Sequence, residues 1–547
     1  MVDSRRACGS WSLRPTNGCR RLNVHNHRIL QVGRCEEYDV SSAPTVVRGV
    51  TEARSFHNKY AVSQASGGRC RSWRKPRETS PSTRATAPIV IADYGSSQGK
   101  NSLAPMRSAI APLPGRISAH PPICVVHVDV AENDFGTLFD AVDTAPDNYL
   151  SDDSDSLQFA TGPGLSMTSL TSNCLFREDQ MTEPRAPSGA MEGRGVYNKY
   201  AKLQAGGVAK ALPYFERAAA KLRIEPGERP IVIADYGSSQ AKNSLVPMRL
   251  AIEVLRGRLG ADRPILVYHE DLPANDFNAL FAVLDQDPDR YSVGDGNVFP
   301  CAIGRDFYGA VLPPRYVDLG WCSYAAILVS RIPMLIPNHI HPNHAEGEVR
   351  AAFARQASED WEAFLSLRAT ELRQGARLVV VLPAVGEGGE TGFETIFNHA
   401  NDALAQMVQQ GAVSAIEYKR MVVGHWARGR RELASPFARD GAFRGLAIEE
   451  LEIAWLPDAA WLEYKQDGDY ETLARKHALF YRATFVPTLA LGLLESDAER
   501  RRAFSDRIEE LMRVRMAREP TPINSHVAVI VLARAEAPGS AGAAVEV

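Results

Sequence analysis

The chain is 547 residues long, more than a single hydrophobic core usually needs, so we expect several domains or one large domain with extensions. Hydrophobic residues make up 45% of it, and 62 lysines and arginines nearly balance 65 aspartates and glutamates. This composition excludes a protein that binds nucleic acid or membranes through bulk charge. No CxxC or Cys/His metal spacing, long apolar run or signal-peptide core occurs, so we expect a cytoplasmic protein.

The first part of the chain is poor in hydrophobic periodicity. Residues 1–87 are rich in arginine, serine and cysteine, which predicts a mostly disordered extension. A transit peptide or a nucleic-acid-binding arm is the alternative interpretation. The acidic residues Glu36, Glu37, Asp39 and Glu52 interrupt the basic character that either alternative requires.

The chain contains an internal duplication. Residues 88–110 and 230–252 differ at only three positions, and the similarity continues in HVDVAENDFGTLF (127–139) against HEDLPANDFNALF (269–281). The upstream copy has no counterpart of the segments that follow residue 300 in the downstream copy. Two strands alone leave an apolar face uncovered. We therefore predict that residues 88–160 are a truncated, dispensable duplicate, followed by a linker over 161–190.

Apolar runs alternate with helical periodicity in the downstream copy. The strand candidates are 231–235, 265–270, 298–303, 316–322, 378–383 and 526–533. Helices are expected between them, including one from 349 that Gly375 closes as a left-handed cap. This alternation predicts an α/β fold, Rossmann-like and doubly wound, with a mostly parallel sheet.

The same pattern divides the downstream region into a core and a cap. Residues 392–512 have helical periodicity and no clear strand alternation, which predicts an α-helical cap inserted before the last strand. The predicted core then comprises residues 191–391 and 513–535. The final segment, 536–547, is expected to be a disordered tail.

Polar residues follow the first strand of the downstream copy. Asp235, Gly237 and Ser238 leave its carboxyl end, where open α/β sheets bind ligands. Glycine lets the backbone approach a ligand, and serine offers a short hydrogen-bonding group to an amino-acid moiety. Taken alone, this loop is better explained as a structural turn.

Asp271 ends the second strand of the downstream copy. An acidic residue at this position is the usual partner of ribose hydroxyls, although a helix N-cap or a loop carboxylate is the alternative. The placement of both features on one rim of the sheet strengthens the ligand-binding interpretation. The absence of GxGxxG and GxxxxGK[ST] disfavours a dinucleotide or a nucleoside triphosphate.

Seven stretches of the downstream region occur in a characteristic order. They are YNKYAKLQ (197–204), IADYGSSQAKNS (233–244), HEDLPANDFNALF (269–281), GRDFYGAVLPP (304–314), WCSYAAILVSRIP (321–333), FLSLRATELRQGARLVVVLP (364–383) and NDALAQMVQQGAVS (401–414). On these stretches the chain resembles the SABATH family, which contains the carboxyl methyltransferases of salicylate, benzoate and jasmonate and the theobromine and caffeine synthases. The resemblance implies an S-adenosylmethionine-dependent methyltransferase that acts on the carboxylate of a small-molecule acid.

The resemblance also implies roles for individual residues. Gln204, on an N-terminal lid segment, is expected to touch both the methionine part of the cofactor and the acceptor. The other expected cofactor residues are Asp235, Gly237, Ser238 and Asn243 at the amino-acid end, Asp271 and Leu272 at the ribose, and Asp306 and Phe307 at the adenine. The acceptor residues are expected to be Tyr197, Gln204, Tyr324 and Leu328. Without the surrounding match, Phe307 and Tyr324 are better explained as core packing.

One departure from the family pattern concerns acceptor recognition. Leu328 stands where the carboxyl methyltransferases commonly place a tryptophan whose indole N–H helps bind the acceptor carboxylate. N-methylation of a heterocycle is therefore an alternative, and so is a catalytically inactive cofactor-binding protein. No catalytic base is expected, because a carboxylate is already ionised at neutral pH.

The segment 338–344 contains three histidines, His339, His341 and His344, which suggests a metal site. Pro337 and Pro342 indicate an exposed loop instead, and no cysteine or paired carboxylate completes a ligand set. We expect no metal and no macromolecular partner beyond a second copy of the chain, and a homodimer is left open.

Overall fold

The computed structural model describes residues 29–32, 89–94, 103–110, 123–128, 135–144, 199–494 and 497–535. Its upstream elements are β1 (Ile29–Val32), β2 (Ile89–Tyr94), α1 (Leu103–Ile110), β3 (Ile123–Val128) and α2 (Phe135–Thr144). The expected linker 161–190 and tail 536–547 lie outside the described residues, as does nearly all of the expected N-terminal extension.

The downstream elements begin near residue 200. They are α3 (Lys202–Ala220), β4 (Ile231–Tyr236), α4 (Leu245–Leu259), β5 (Ile265–Asp271), α5 (Phe277–Gln286), β6 (Val298–Gly304), β7 (Val317–Ser323), α6 (Gly347–Glu371), β8 (Leu372–Ala384), α7 (Glu394–Gln409), α8 (Ala415–Arg420), α9 (Arg430–Ala434), β9 (Ala442–Phe443), β10 (Leu446–Trp455), α10 (Ala459–Asp467), α11 (Tyr470–Ala490), α12 (Ala498–Arg518) and β11 (His526–Arg534).

Eight downstream strands form one sheet in the order β6-β5-β4-β7-β8-β11-β10-β9. The strands from β6 to β8 are parallel, and β11, β10 and β9 continue the sheet antiparallel. Helices cover both faces: α3, α4 and α5 pack on one, and α6 packs on the other. The predicted doubly wound, mostly parallel α/β fold is confirmed.

The central strand β4 shows why periodicity located the sheet. Every residue from Ile231 to Tyr236 is buried, because helices lie on both faces and strands lie on both sides. A short continuous apolar run is the expected signature of such a strand. All six predicted strands are present, and β8 extends further toward its N-terminus than the apolar run 378–383 indicated.

The predicted end of the long helix was wrong. Helix α6 ends at Glu371, and Gly375 lies within β8 with φ +75°. The pairing with β7 shifts there, from Val317 opposite Leu372 to Leu319 opposite Arg377, so the glycine serves an irregularity in the strand. A Cβ at Gly375 would also meet the Cβ of Arg223 at 2.7 Å.

The region 392–512 is helical apart from two strands that sequence analysis did not predict. Strand β10 pairs antiparallel with β11 along its length and so belongs to the sheet. Its sequence, LAIEELEIAW, carries three glutamates, which hid the alternation. The helices α7, α11 and α12 form a separate apolar cluster.

The upstream copy covers its apolar residues more fully than two strands alone would allow. Strand β2 pairs parallel with β1 and β3, and Ile91 and Val125 are both 0% exposed. Helix α2 of the upstream copy packs on α5, so one continuous apolar cluster includes residues of both copies. Within the described ranges, none of the helices has the length and hydropathy needed to cross a bilayer.

Candidate active site

Three adjoining cavities lie at the carboxyl edge of the parallel strands, as expected for an open α/β sheet. The rim cavity is lined by Gly237, Asp271, Leu272, Asp306, Phe307, Tyr324 and Leu328, among others. The loop cavity is lined by Gln204, Asp235, Gly237, Ser238, Asn243 and Ser323, among others. The aromatic cavity is lined by Gln204, Tyr324, Leu328, Phe393, Phe397, Phe480 and Phe485, among others.

Asp235 is held by a buried hydrogen-bond chain. Its Oδ2 lies 2.8 Å from Nδ1 of His269, and Nε2 of His269 lies 2.8 Å from the Tyr291 hydroxyl. Parallel pairing makes this possible, because Asp235 on β4 and His269 on β5 are directly opposite in register. Sequence analysis missed His269, although both copies contain a histidine two residues before the acidic residue at the strand tip.

The loop after β4 has an unusual backbone. Gly237, Ser239 and Ala241 all have positive φ, at +78°, +51° and +64°. A Cβ at Gly237 would lie 2.1 Å from the Cβ of Ala325, so only glycine fits. The Gly237 and Ser238 amides both donate to the Glu270 carbonyl at 2.9 Å, which pins the loop to β5. A strained backbone that hydrogen bonds hold in place in this way is typical of a ligand-binding loop.

Asp271 at the end of β5 organises the same loop. Its carboxylate accepts hydrogen bonds from the Ser239 amide at 2.6 Å and from the Leu272 amide at 2.8 Å. Burial raises its pKa to about 6 against these two hydrogen bonds, and the nearby Asp235 and Asp306 add to the rise. Asp271 is therefore part of the loop's structure as well as a lining residue.

Two further carboxyl groups make this edge of the sheet acidic. Glu270 is buried, and burial together with Asp271 raises its pKa well above the ordinary value. Burial also raises the pKa of Asp306, whose Oδ1 accepts from the Tyr308 amide at 2.8 Å. Burial makes ionisation of these carboxyl groups costly, and a cation bound beside them would favour their ionised forms.

A buried arginine supports the side of the rim cavity formed by residues 306–309. Arg368 donates to the Phe307 carbonyl at 2.9 Å and to Glu371 Oε1 at 2.8 Å. Phe307 is 7% exposed and packs edge-on against Phe364, so the core-packing explanation accounts for part of its role. Tyr308, which sequence analysis did not single out, lines the cavity and donates to the Leu328 carbonyl at 2.5 Å.

Gln204, in the first turn of α3, lines both the loop cavity and the aromatic cavity. It is 5% exposed, and its Nε2 donates to the Thr484 hydroxyl at 3.4 Å. Its Oε1 has no hydrogen-bond partner among the described residues. A buried amide oxygen without a partner is costly, so its position between two cavities indicates a ligand.

The same helix packs closely on Tyr324. A Cβ at Gly207 would lie 2.1 Å from the Tyr324 hydroxyl oxygen, which explains a glycine in a helix. Tyr324 has φ +61°, and its amide donates to the Val381 carbonyl at 2.7 Å. This strained backbone turns the ring into the wall between the rim and aromatic cavities.

The aromatic cavity is mostly apolar but contains two histidines. His341 stacks on Phe397 with ring centroids 3.8 Å apart, and His425 packs edge-on against Phe485. Burial lowers the pKa of His425 to about 4 and, with His425 nearby, that of His341 well below its usual range. Both imidazoles are therefore neutral at pH 7. The expectation of an exposed loop was wrong for His341, which is 3% exposed.

Comparison with known proteins decides the family. The model of the family described as SAM dependent carboxyl methyltransferase matches residues 188–535. The chain belongs to this family. The resemblance expected from the seven stretches is thereby confirmed.

The matches between this chain and named relatives span only part of each relative's length. Methyltransferase LUC1 of Fusarium sp is 29% identical over 41% of this chain and 59% of its own. Salicylate carboxymethyltransferase of Clarkia breweri is 28% identical over 41% of this chain and 65% of its own. Farnesoic acid carboxyl-O-methyltransferase of Arabidopsis thaliana is 26% identical over 52% of this chain and 83% of its own.

One solved structure supports the fold. A loganic acid methyltransferase with SAH superposes with a TM-score of 0.51 at 20% identity, covering 63% of this chain and 99% of that one. At this identity the likeness concerns the fold alone.

In this member of the family, the structure brings nearly all the residues singled out from sequence to the three cavities. Gln204, Asp235, Gly237, Ser238 and Asn243 line the loop cavity, while Asp271, Leu272, Asp306, Phe307, Tyr324 and Leu328 line the rim cavity. Tyr197 lies outside the described residues. Cys322 is buried and Cys301 is partly exposed.

Sequence analysis missed the walls of the aromatic cavity. Phe393, Phe397, Phe480 and Phe485 come from the cap, where the only sequence signal was an aromatic residue in a helical pattern. Within the part of the chain that the structure describes, no three His, Cys, Asp or Glu side chains are grouped to hold a metal ion.

Proposed function

We propose that this protein transfers the methyl group of S-adenosylmethionine to the carboxylate of a small organic acid with a largely apolar body. The observation that carries this proposal is the placement of Gln204, whose unpartnered Oε1 lies between the loop cavity and the aromatic cavity. A residue at that junction can contact a cofactor on one side and an acceptor on the other.

The cofactor fits the rim and loop cavities by its chemistry. The Ser238 hydroxyl is buried without a hydrogen-bond partner among the described residues, and it lies beside Asn243 and Asp235 in the loop cavity, which suits a ligand's amino and carboxylate groups. Asp271 would hold the ribose, with Leu272 beside it, and Asp306 and Phe307 would flank the adenine.

The cofactor supplies an electrophilic methyl group, and the protein's own residues then have to position the acceptor and exclude water. A carboxylate acceptor needs no general base, because its pKa lies near 4. The neutral imidazoles of His341 and His425 and the amide of Gln204 offer hydrogen bonds without a charge that would hold the carboxylate too tightly. The aromatic walls exclude water, which favours the approach of opposite charges.

The apolar lining defines the acceptor body. Phe393, Phe397, Phe480 and Phe485 surround the aromatic cavity, and Leu328 adds a hydrocarbon where an indole N–H is common in the family. Such walls suit a flat or terpenoid acid. We propose a cytoplasmic location as well, which the buried free thiol of Cys322 supports.

The test has a binding arm and a turnover arm. We expect calorimetry to show one S-adenosylmethionine bound per chain. We then expect labelled methyl transfer to aromatic and terpenoid acids but not to their amides. Gln204→Leu should weaken both cofactor binding and turnover, because it removes the shared amide. Asn401→Leu, on α7 and outside the three cavities, is the control and should change neither.

Three results would contradict the proposal in different ways. Methyl transfer to heterocycles and not to acids would establish the N-methylation alternative. Cofactor binding without turnover of either class would establish a cofactor-binding protein. Absence of cofactor binding in a folded chain would refute the assignment of the rim and loop cavities.

A further inference from the structure

The hydrogen-bond chain behind Asp235 runs from the interior of the protein to the loop cavity. Tyr291 lies between α5 and β6, His269 lies on β5 and Asp235 lies on β4. All three are buried, with 5%, 0% and 1% of their surfaces exposed. Asp235 lines the loop cavity, whereas His269 and Tyr291 lie behind it and line none of the three cavities.

The chemistry of the three groups fixes the direction of both hydrogen bonds. An ionised carboxylate only accepts, so Nδ1 of His269 carries the proton that it donates to Oδ2 of Asp235. In the neutral imidazole, Nε2 then accepts from the Tyr291 hydroxyl. Burial raises the pKa of Tyr291 well above its usual value, so this hydroxyl keeps its proton. Each donor in the chain therefore points toward Asp235.

The chain selects one orientation of the Asp235 carboxylate. The terminal torsion of an aspartate is broad, and a hydrogen bond to a buried imidazole restricts it. With Oδ2 bound to His269, Oδ1 has no hydrogen-bond partner among the described residues. The buried Oε1 of Gln204, which also lines the loop cavity, is likewise without a described partner. Two acceptor oxygens in one cavity suit a ligand group that only donates, such as an ammonium.

We propose that His269 is a positioning residue for cofactor binding. Its Nδ1–H holds the Asp235 carboxylate so that Oδ1 accepts from the ammonium of the cofactor's amino-acid part. This inference rests on the proposed function, because it takes the loop cavity as the site of that part of S-adenosylmethionine. His269 itself touches no ligand, so its effect is confined to ligands that carry the ammonium.

The test compares two substitutions of His269 with two nucleosides. The amide nitrogen of His269→Asn can take the place of Nδ1 and still donate to Asp235, whereas the longer side chain of His269→Gln places its amide near Nε2 and Tyr291. The probes are S-adenosylmethionine and 5′-methylthioadenosine, which lacks the amino-acid part. Calorimetry measures the first, and competition against labelled S-adenosylmethionine measures the second.

We expect a selective loss that the closer mimic restores. His269→Gln should bind S-adenosylmethionine about tenfold more weakly, since a misdirected carboxylate loses part of a charge-assisted hydrogen bond. Its affinity for 5′-methylthioadenosine should equal that of the native chain. His269→Asn should bind both nucleosides with affinities close to the native ones. A purely structural histidine would instead change both affinities together.

A matched control and a milder variant complete the experiment. His127 makes the same contact with Asp93 in the upstream copy, so His127→Gln should leave both affinities unchanged. Tyr291→Phe removes only a hydroxyl and keeps the ring that packs beside His269. It should show the same selective loss as His269→Gln, at smaller magnitude, and it carries the test if His269→Gln does not fold.

The outcomes separate this inference from the proposed function. A native chain that binds no S-adenosylmethionine refutes both. A native chain that binds it leaves the assignment of the cavities in place, and the positioning role is then overturned by any of three results. These are equal losses for the two nucleosides, a loss in His269→Asn as large as in His269→Gln, or native S-adenosylmethionine affinity in folded His269→Gln.

Discussion

The two copies of the duplicated segment keep the same loop and the same buried pair but differ in what surrounds them. The distance between the aspartate and the histidine is 2.9 Å for Asp93 and His127 and 2.8 Å for Asp235 and His269. The aspartate side chain is 15% exposed upstream and 2% exposed downstream. The same pair of residues is therefore buried to different extents in the two copies.

The downstream copy is followed by segments that form the walls of the rim and aromatic cavities. Tyr308, Tyr324 and the cap phenylalanines belong to segments beyond residue 300, for which the upstream copy has no match. The duplicated loop therefore supplies one side of a cavity, and the later segments close it. The first four predictions below apply one substitution to both copies.

The largest expected difference concerns the histidines. His269→Leu leaves the buried carboxylate of Asp235 without its histidine partner. Removing one partner of a buried pair destabilises the fold by about 3 to 5 kcal/mol. His127→Leu should destabilise less, because water reaches Asp93 more easily. Urea unfolding of both variants measures the difference. Equal losses would mean that the pairs are equivalent and that the comparison fails.

Glycine substitutions should differ next most. Gly237→Ala forces a methyl group to within 2.1 Å of the Ala325 Cβ at φ +78°, which we expect to destabilise by about 3 kcal/mol. Gly95→Ala should have a much smaller effect, because the upstream copy has no counterpart of Ala325. Thermal unfolding measures both changes, and a tolerated Gly237→Ala would show that the loop can relax.

The acidic strand tips test the site itself. Asp271→Asn should weaken S-adenosylmethionine binding by about 100-fold, since hydrogen bonds to a charged group are each worth about 1.5 to 3 kcal/mol. Its sequence counterpart, Asp129→Asn, should leave the affinity unchanged. Calorimetry measures both. Circular dichroism must accompany it, because Asp271 also accepts from the Ser239 and Leu272 amides. Native affinity in Asp271→Asn would remove this residue from the site.

The smallest expected effect is a pH dependence. Because burial raises the pKa of Asp271 to about 6, this carboxyl is ionised above that pH and protonated below it. If the ionised form binds ribose, affinity at pH 5 should be about tenfold lower than at pH 8. Asp129→Asn should keep this dependence and Asp271→Asn should lose it. A dependence that persists in Asp271→Asn would assign it to Glu270 or Asp306 instead.

The raised pKa of Asp271 also affects the stability of the fold. Ionisation of this carboxyl is expected to favour ligand binding, but it disfavours folding. The folded-state pKa exceeds the ordinary value of 3.8, so ionising Asp271 lowers the stability of the fold between pH 3.8 and about 6. Asp271→Asn should remove this loss within that window. Urea unfolding at pH 4 and pH 7 compares the two chains.

Local patterns predicted much of the fold and the loop side of the site. The strand β4 was visible as a continuous apolar run, and the acidic residues at the ends of β4 and β5 followed from where the runs stop. Strand β10 was not visible, because Glu449, Glu450 and Glu452 conceal its alternation. All three pair with residues of other elements, Glu449 with Arg377, Glu450 with Arg217 and Glu452 with Lys210.

Long-range contacts account for what sequence could not give. His269 and Tyr291 reach Asp235 only after β4 and β5 pair, and His341 becomes buried only when Phe397 of the cap packs on it. The prolines around His341 correctly indicate a loop, but they do not predict which residues pack on the histidine. The repeated histidine before each acidic strand tip was the one available signal.

Helix α3 lies so close to Tyr324 that no methyl group fits at Gly207. Gln204, one turn earlier, forms part of the wall of both the loop cavity and the aromatic cavity. Any displacement of this turn opens both cavities together. If cofactor and acceptor bind as proposed, their loading and release form a single gating event, and the kinetics of turnover should show one conformational step common to both.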